Sequence, residues 1–541
     1  MKQKNKLLLR KMQKNTKFQS PKKNNKNDNC KDLTFEECEL AILRMAVDKA
    51  EDTQGQKLVN SPEIKKIIEV VENFIIKNEL ICYGGTAINN LLPRQSQFYN
   101  KDVEIPDYDF YSYDALENAI KLTDIYYNLG FQETEAKSGQ HYGTYKVFVN
   151  FIPIADITQI DRKLFMAIKK EAIKVAGIYY APPNFLKMAM YLELSRPNGD
   201  VSRWEKVLKR LILLNKTYPI NKGVNCDNVH FLQKMSFNLD KKNLIYDTTL
   251  SCLIDQDVVF FGGYALYHYS KYMPNKIQEK INKDPDFDVL SETPLKTANI
   301  VQERLIDVGI KNVNIYKRTN VGEIIAEHYE IKVGRDTIAF IYEPMACHSF
   351  NIVYYKGNKI KIATIDTMLS FYLAFLYADR KYYNKNRILC MSNYLFLLQQ
   401  KNRLEQKGLL KRFSISCIGH QQTIEEIRSI KTQKFNELKE HKEGIEYKRW
   451  FLRYRPYELL QNIQKTKTTK YNEETKTQTT QTTKTTKKLR SKTKLTDNMQ
   501  KDKTRKINKN TTSKLQKTKK NNKTNNTFNT LKNKIRQTIF F

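Results

Sequence analysis

Tyr83-Gly84-Gly85-Thr86-Ala87-Ile88-Asn89, followed by Pro106-Asp107-Tyr108-Asp109-Phe110, is the stretch on which the reading of this 541-residue chain turns. Glu79 to Tyr83 suits a short strand, Gly84-Gly85 a tight turn, and Thr86 to Leu92 a short helix stopped by Pro93. Asp107 to Phe110 reads as a second short strand. Strand side chains alternate with period 2, so Asp107 and Asp109 share one face while Tyr108 packs on the other. Tyr145 to Ile154 reads as one apolar strand leading to Asp156. The order strand, glycine turn, helix, acidic strand, apolar strand describes an α/β lobe.

Upstream, Asp32 to Ala50 carries apolar residues at helical spacing. A second helix starts at Ser61-Pro62-Glu63, where Ser61 can cap, Pro62 suits the first helical position and Glu63 favours the positive end of the dipole. Downstream, Pro182 and Pro183 open a helix through Phe185, Met188 and Leu192, and another helix follows Asp200.

The pattern occurs twice. Phe261-Gly262-Gly263-Tyr264-Ala265 repeats the glycine turn, and Pro285-Asp286-Phe287-Asp288-Val289 repeats the acidic pair at a matching distance. Phe151-Ile152-Pro153-Ile154-Ala155-Asp156 has its echo in Tyr342-Glu343-Pro344-Met345-Ala346-Cys347, and aligning the prolines puts Cys347 in the place of Asp156. The expected fold class is therefore α+β: two tandem α/β lobes, each a mixed sheet with flanking helices and each followed by a helical segment. The second copy has lost one carboxylate, and Glu343 is its nearest substitute.

The net charge of +35 is uneven. Residues 1–31 carry +10 and residues 461–541 carry +19, leaving +6 for the long middle. Both ends are built from Lys, Asn, Thr and Gln, too poor in large apolar groups to offset ordering entropy, so they are expected to be disordered. Such arms favour polyanions; an A/T-rich genome accounts for the same composition. The expected layout is a basic arm at 1–31, a first lobe at 32–180, helices at 181–235, a second lobe at 236–360, a helical region at 361–460 and a tail at 461–541.

No apolar run approaches the roughly 18 residues of a membrane span. The longest, Met368 to Leu376, contains Ser370 and is bounded by Asp366 and Asp379, as a buried helix is. No apolar stretch follows the basic N-terminus, which argues against a secretory signal. The eight cysteines form no CxxC pair, so neither a disulfide framework nor a zinc site is expected, and a reducing compartment is the natural inference.

Paired carboxylates on one strand face, with a third on a neighbouring strand, are what two-metal phosphoryl transfer requires. Asp107 and Asp109 are the pair. Asp156 is preferred as third acid over Asp161, Asp102 and Glu104, because the apolar strand leads directly to it. The N–H groups of Gly85 and Thr86, the Thr86 hydroxyl and the helix behind them form a phosphate cradle. His268 and His348 lack metal-ligand spacing and read as core or surface groups. Trp204 reads as packing, and the mix of Arg453, Arg455, Trp450, Phe451, Tyr454 and Tyr457 suits either single-stranded nucleic acid or an ordinary helix end.

Tyr83 to Asn89, Pro106 to Tyr111 and Asp156 together resemble the DNA polymerase β type of nucleotidyltransferase. Within it they resemble the poly(A) polymerase catalytic subunit of poxviruses and other large nucleocytoplasmic DNA viruses, over about residues 32–460. Thr86 stands where that superfamily commonly has Ser, and the hydroxyl is retained. The resemblance implies two nucleotidyltransferase-like lobes and template-independent addition of AMP from ATP to an RNA 3′ end. Two Mg²⁺ or Mn²⁺ ions would be held by Asp107, Asp109 and Asp156. Gly84, Gly85, Thr86 and Asn89 would hold the nucleotide, joined by Lys187, with Asn184, Arg203 and Lys206 as further contacts. It further implies processivity from a homodimer or a separate subunit, and a place in the virion and host cytoplasm. Another base or RNA acceptor, and a catalytically silent RNA-binding scaffold, are the competing functions.

Overall fold

The computed structural model describes residues 30, 33–229, 238–281, 285–355, 357–402 and 406–458. The two basic arms lie outside the described residues, apart from Cys30. Contact density divides the chain at 65/66, 99/100 and 105/106 into two units. In the smaller, Thr34 and Glu37 form a reciprocal capping box that starts the helix Phe35–Val59. Ser61 Oγ accepts from the Ile64 N–H at 3.2 Å, as a capping serine does. The Asp102 N–H donates to Asn100 Oδ1 and the Asn100 N–H to Glu104 Oε2, so these two acids serve a local turn.

The larger unit holds both expected sheets. The first is built from β1 (Ile81–Cys82), β2 (Tyr108–Ser112), β3 (Thr134–Ser138), β4 (Thr144–Val149), β5 (Ile152–Gln159), β6 (Ile173–Val175) and β7 (Ile178–Tyr180). The second is built from β8 (Val259–Phe260), β9 (Phe287–Leu290), β10 (Val313–Arg318), β11 (His328–Val333), β12 (Asp336–Tyr342), β13 (His348–Tyr355) and β14 (Asn358–Ala363). The spatial orders are β3-β4-β5-β2-β1-β7-β6 and β10-β11-β12-β9-β8-β14-β13, position for position the same. Strand directions agree as well: β2 runs parallel to β5 as β9 does to β12, and β1 parallel to β7 as β8 does to β14. The duplication read from two short motifs therefore extends to a complete topology. Each sheet gains one further strand from the C-terminal region, β15 (Cys417–Ile418) beside β13 and β16 (Arg453–Tyr454) beside β3.

Helices Pro183–Leu194 and Ile365–Phe375 follow β7 and β14 and pack against each other. The Ile365–Phe375 helix is buried along its whole length, which is why Met368 to Leu376 looks nearly membrane-like in sequence. Among the described residues no helix is long and apolar enough to cross a membrane.

Two expectations are corrected. Tyr145 to Ile154 is not one strand but a hairpin, because Asn150 and Phe151 both take positive φ (48° and 65°) and reverse the chain between β4 and β5. A continuous apolar run without a Gly at the turn conceals that reversal. The cysteines are also not all unpaired: disulfides join Cys30–Cys38, Cys226–Cys390 and Cys347–Cys417, while Cys82 and Cys252 remain buried thiols. Partners 164 and 70 residues apart leave no spacing signal in the chain.

Candidate active site

The parallel register of β2 and β5 sets Asp109 directly across from Asp156. Neighbouring strands lie about 4.8 Å apart, so the two carboxylates rise side by side from one face. Asp107, two residues earlier, shares that face. The glycine turn is fastened to this strand twice: the Tyr83 N–H donates to the Asp109 carbonyl at 2.9 Å, and Thr86 Oγ1 to the Asp107 carbonyl at 2.6 Å. Thr86 thus spends its hydroxyl on holding the acidic strand. Gly84 is required on two counts, since its φ is +69° and a Cβ there would overlap the Asp109 carboxylate. Asn89 is buried and its Oδ1 accepts from the N–H groups of Phe98 and Tyr99 at 2.8 and 2.9 Å, which fixes the following loop.

The acids repel one another. Burial, then the charges of Asp107 and Asp156, push the Asp109 carboxyl up to about 8, with Lys146 and Arg203 partly offsetting them. Asp107 is raised by burial and by Asp156, and lowered by Lys146 and Lys206. Lys146, directly opposite Asp156 in the β4–β5 hairpin, forms an ion pair with Asp156 Oδ2. Among the described residues no three acidic, imidazole or thiolate groups already converge as a finished coordination shell. Their chemistry still fits a hard divalent cation, because carboxylate oxygens are the donors such ions take and Asp107 and Asp109 stay raised despite the neighbouring cations.

Further cations lie within electrostatic reach, Arg203 acting on Asp109 and Lys206 on Asp107. Arg203, Lys206 and Arg210, at helical spacing on and just before the helix Trp204–Thr217, share one face. Arg210, then burial and Arg203, lower the Lys206 ammonium below the usual lysine value, the signature of like charges crowded together. Arg210 donates to the Tyr99 hydroxyl at 2.7 Å and lies over the Phe98 ring at 4.8 Å. A Cβ on Gly85 would meet the Tyr99 hydroxyl and come within 3.1 Å of the Arg210 guanidinium, so the second glycine admits that arginine to the helix N-terminus. Arg210 was missed in sequence; its spacing of four from Lys206 was the available signal. Lys146 left none, because the hairpin that faces it toward Asp156 was read as one strand.

Lys187 is fully buried, donates to the Tyr218 carbonyl, and is pulled down to about 7 by burial. It is no surface lysine, and in this arrangement it ties two helical segments together. Asn184 Nδ2 likewise donates to the Ile220 carbonyl at 3.1 Å. Asp161 caps the helix Arg162–Glu171 by accepting from the Lys163 and Leu164 N–H groups. Trp204 donates to the Glu193 carbonyl at 3.0 Å; Arg453 and Arg455 pair with Glu135 beside β16, and Trp450 is buried. Burial lowers His268 to about 4 and His348 to about 3, as for core histidines.

In the second sheet Asp288 stands across from Phe340, not Cys347. The proline alignment was misplaced by the loop after β12, and Cys347 is instead bonded to Cys417. Opposite Phe340 lies Glu330, at the position of Lys146, paired with Arg318 and Lys332. Glu343 lies beyond the strand end and lines a cleft of about 230 Å³ together with Arg196. Asp286 and Asp288 are raised by burial and held down by the Arg387 guanidinium.

Residues 69–200 match the family model for the poly(A) polymerase catalytic subunit. That segment contains the glycine turn and all three carboxylates, and the resemblance read from the motifs is borne out. A protein of Acanthamoeba polyphaga mimivirus, provisionally named poly(A) polymerase catalytic subunit, is 34% identical over 184 residues, 33% of this chain and 30% of the relative. A similarly named protein of African swine fever virus (isolate Tick/Malawi/Lil 20-1/1983) is 32% identical over 180 residues, 32% of this chain and 38% of the relative. The matched segment thus spans about a third of these relatives' own length. The fold is similar to the crystal structure of the Megavirus polyadenylate synthase, with a TM-score of 0.66 at 19% identity, covering 82% of this chain and 89% of that one. The expected mixed α+β architecture is borne out across both lobes.

Proposed function

We propose that this chain is a template-independent polynucleotide adenylyltransferase that extends RNA 3′ ends with AMP from ATP. The observation that carries the reading is the β2–β5 register, which sets Asp109 beside Asp156 with Asp107 two residues before it, and with Arg203 and Lys206 within electrostatic reach. Asp107, Asp109 and Asp156 are the residues that would hold Mg²⁺ or Mn²⁺. Such ions supply charge for the α-phosphate and lower the pKa of an attacking hydroxyl.

The chain's own residues account for the rest. Lys206 and Arg210 present charge-assisted donors to a triphosphate, and the Gly85 and Thr86 amides offer the N-terminus of their helix to the same group. Asp156 is the group that would accept the proton of the RNA 3′-hydroxyl. The 3′ oxygen bonds to the α-phosphorus, the bond to the bridging oxygen breaks, and pyrophosphate leaves with its electron pair. No covalent protein intermediate is needed, so the lack of an obvious nucleophile–base pair is no obstacle.

The test is extension of a short RNA with each of the four nucleoside triphosphates and Mg²⁺. Long products from ATP alone, lost in Asp107→Ala/Asp109→Ala, support the reading. Equal use of all four bases makes it a terminal transferase of another selectivity, and RNA binding without extension makes it a scaffold. Sedimentation of the native chain separates a homodimer from a monomer that relies on a separate processivity subunit.

A further inference from the structure

Lys146 lies outside every motif, yet its ammonium is the cation in direct contact with the carboxylate cluster. It projects from β4 at the position directly opposite Asp156 and pairs with Asp156 Oδ2. An ordinary exposed ion pair contributes little to a fold, and Lys146 keeps 38% of its side chain exposed, so stability is a poor account of it.

The duplication supplies an independent comparison. At the two equivalent register positions the second sheet has Glu330 and Phe340. The aspartate pair on the neighbouring strand survives there as Asp286 and Asp288, and the glycine turn survives as Gly262-Gly263. The third carboxylate and its lysine are absent together.

We propose that Lys146 is a positioning residue for Asp156. It holds one carboxylate oxygen, leaves the other free of that contact, and supplies positive charge that helps keep three acids assembled before a divalent ion arrives. This inference rests on the functional reading above. It has a signed consequence: the ammonium repels a divalent ion while it orients one of that ion's ligands, so its removal separates ion binding from turnover.

The experiment compares the native chain with Lys146→Met and Lys146→Arg, using Mn²⁺ titration followed by electron paramagnetic resonance, steady-state RNA extension, and thermal unfolding. In Lys146→Met, Mn²⁺ is expected to bind about 3–10-fold more tightly because a like charge is gone. Its kcat is expected to fall about 10–100-fold, the usual effect of losing a partner that orients a metal ligand. KM for ATP should stay within about 3-fold, and Lys146→Arg should restore both quantities to near native values. Mn²⁺ affinity and kcat both unchanged in Lys146→Met would overturn the proposal. So would a fall in both that tracks a lowered Tm, or a Lys146→Arg variant as impaired as Lys146→Met. If the native chain binds Mn²⁺ at this cluster but adds no nucleotide, the functional reading fails and the positioning role fails with it. If the native chain extends RNA and only the Lys146 variants behave as native, the positioning role alone fails.

Discussion

Two sheets of the same seven-strand topology sit in one unit, and they differ most where two adjacent strands meet. In the first, β2 and β5 bring Asp109 beside Asp156, with Lys146 across the hairpin. In the second, the equivalent strands bring Asp288 beside Phe340, with Glu330 across. An aromatic ring at that position offers no carboxylate to the aspartate beside it. The Arg387 guanidinium partly offsets the burial of the two aspartates there. The topology, the glycine turn and the acidic pair are thus all retained in a sheet that has no acid at the register position of Asp156. On the proposed function, the motif would mark the shared fold and the residue opposite it in the sheet would separate an active lobe from a silent one.

That contrast can be broken most decisively at the acids of the first lobe. Asp107→Ala should reduce AMP addition by on the order of 10⁴-fold or more, because the carboxylates act as a unit whose loss is not additive; single-turnover RNA extension measures this. Next in size, Lys206→Ala and Arg210→Ala should each raise KM for ATP about 10–100-fold, the effect of a lost charge-assisted hydrogen bond. If ATP saturation curves for these variants coincide with the native curve, the cation row does not face the nucleotide.

Asp109 offers a smaller effect with a definite sign. In metal-free buffer its carboxyl is pushed up to about 8, whereas an unfolded aspartate titrates near 3.9. Between those values the folded chain keeps a proton that the unfolded chain releases. The folded state therefore loses stability as pH rises through the window, and the contribution is gone above about 8. Asp109→Asn removes the burden: its Tm should exceed the native value by about 2–4 °C at pH 8.5 and match it near pH 4, as differential scanning calorimetry would show. The variant should be inactive throughout.

The smallest expected effect belongs to the second lobe. Asp286→Ala/Asp288→Ala, if folded by circular dichroism, should retain turnover within about 2-fold of native, because no third carboxylate stands beside that pair. A loss comparable to that of Asp107→Ala would mean that Phe340 is no barrier to function and that both sheets take part in the reaction. Deleting residues 1–31 and 461–541 should weaken RNA retention and flatten its salt dependence while leaving nucleotide addition in place. An unchanged salt slope would assign the surplus charge to genome composition.

Much of the site was legible because its parts are local. Asp107 and Asp109 are two residues apart, and a strand puts such residues on one face whatever surrounds them. Gly84 and Gly85 were legible as a turn, although the reasons for them, the Asp109 carboxylate and the Arg210 guanidinium, come from distant segments. Lys187 carried no sign of its burial, because a lysine on an otherwise apolar helix looks the same whether or not its stem is enclosed. The second lobe shows the limit most clearly. Matching Pro344 to Pro153 was sound as sequence alignment, yet it missed the true counterpart of Asp156, since the β12 register is set by pairing with β9 and β11 and not by a proline beyond the strand.

By itself, then, the amino-acid sequence determined the α+β class, the doubling of the lobe, the acidic pair, and the separation of basic arms from a nearly balanced middle. Each follows from spacing or composition, which a chain carries before it folds. Tertiary structure alone decided that Lys146 faces Asp156, that Phe340 closes the second site, that Arg210 reaches the glycine turn, and which cysteines pair. Those outcomes depend on which strand lies beside which and at what offset, and that is set by hairpin reversals and by the packing of helices against each other, forces that act on segments far apart in the chain.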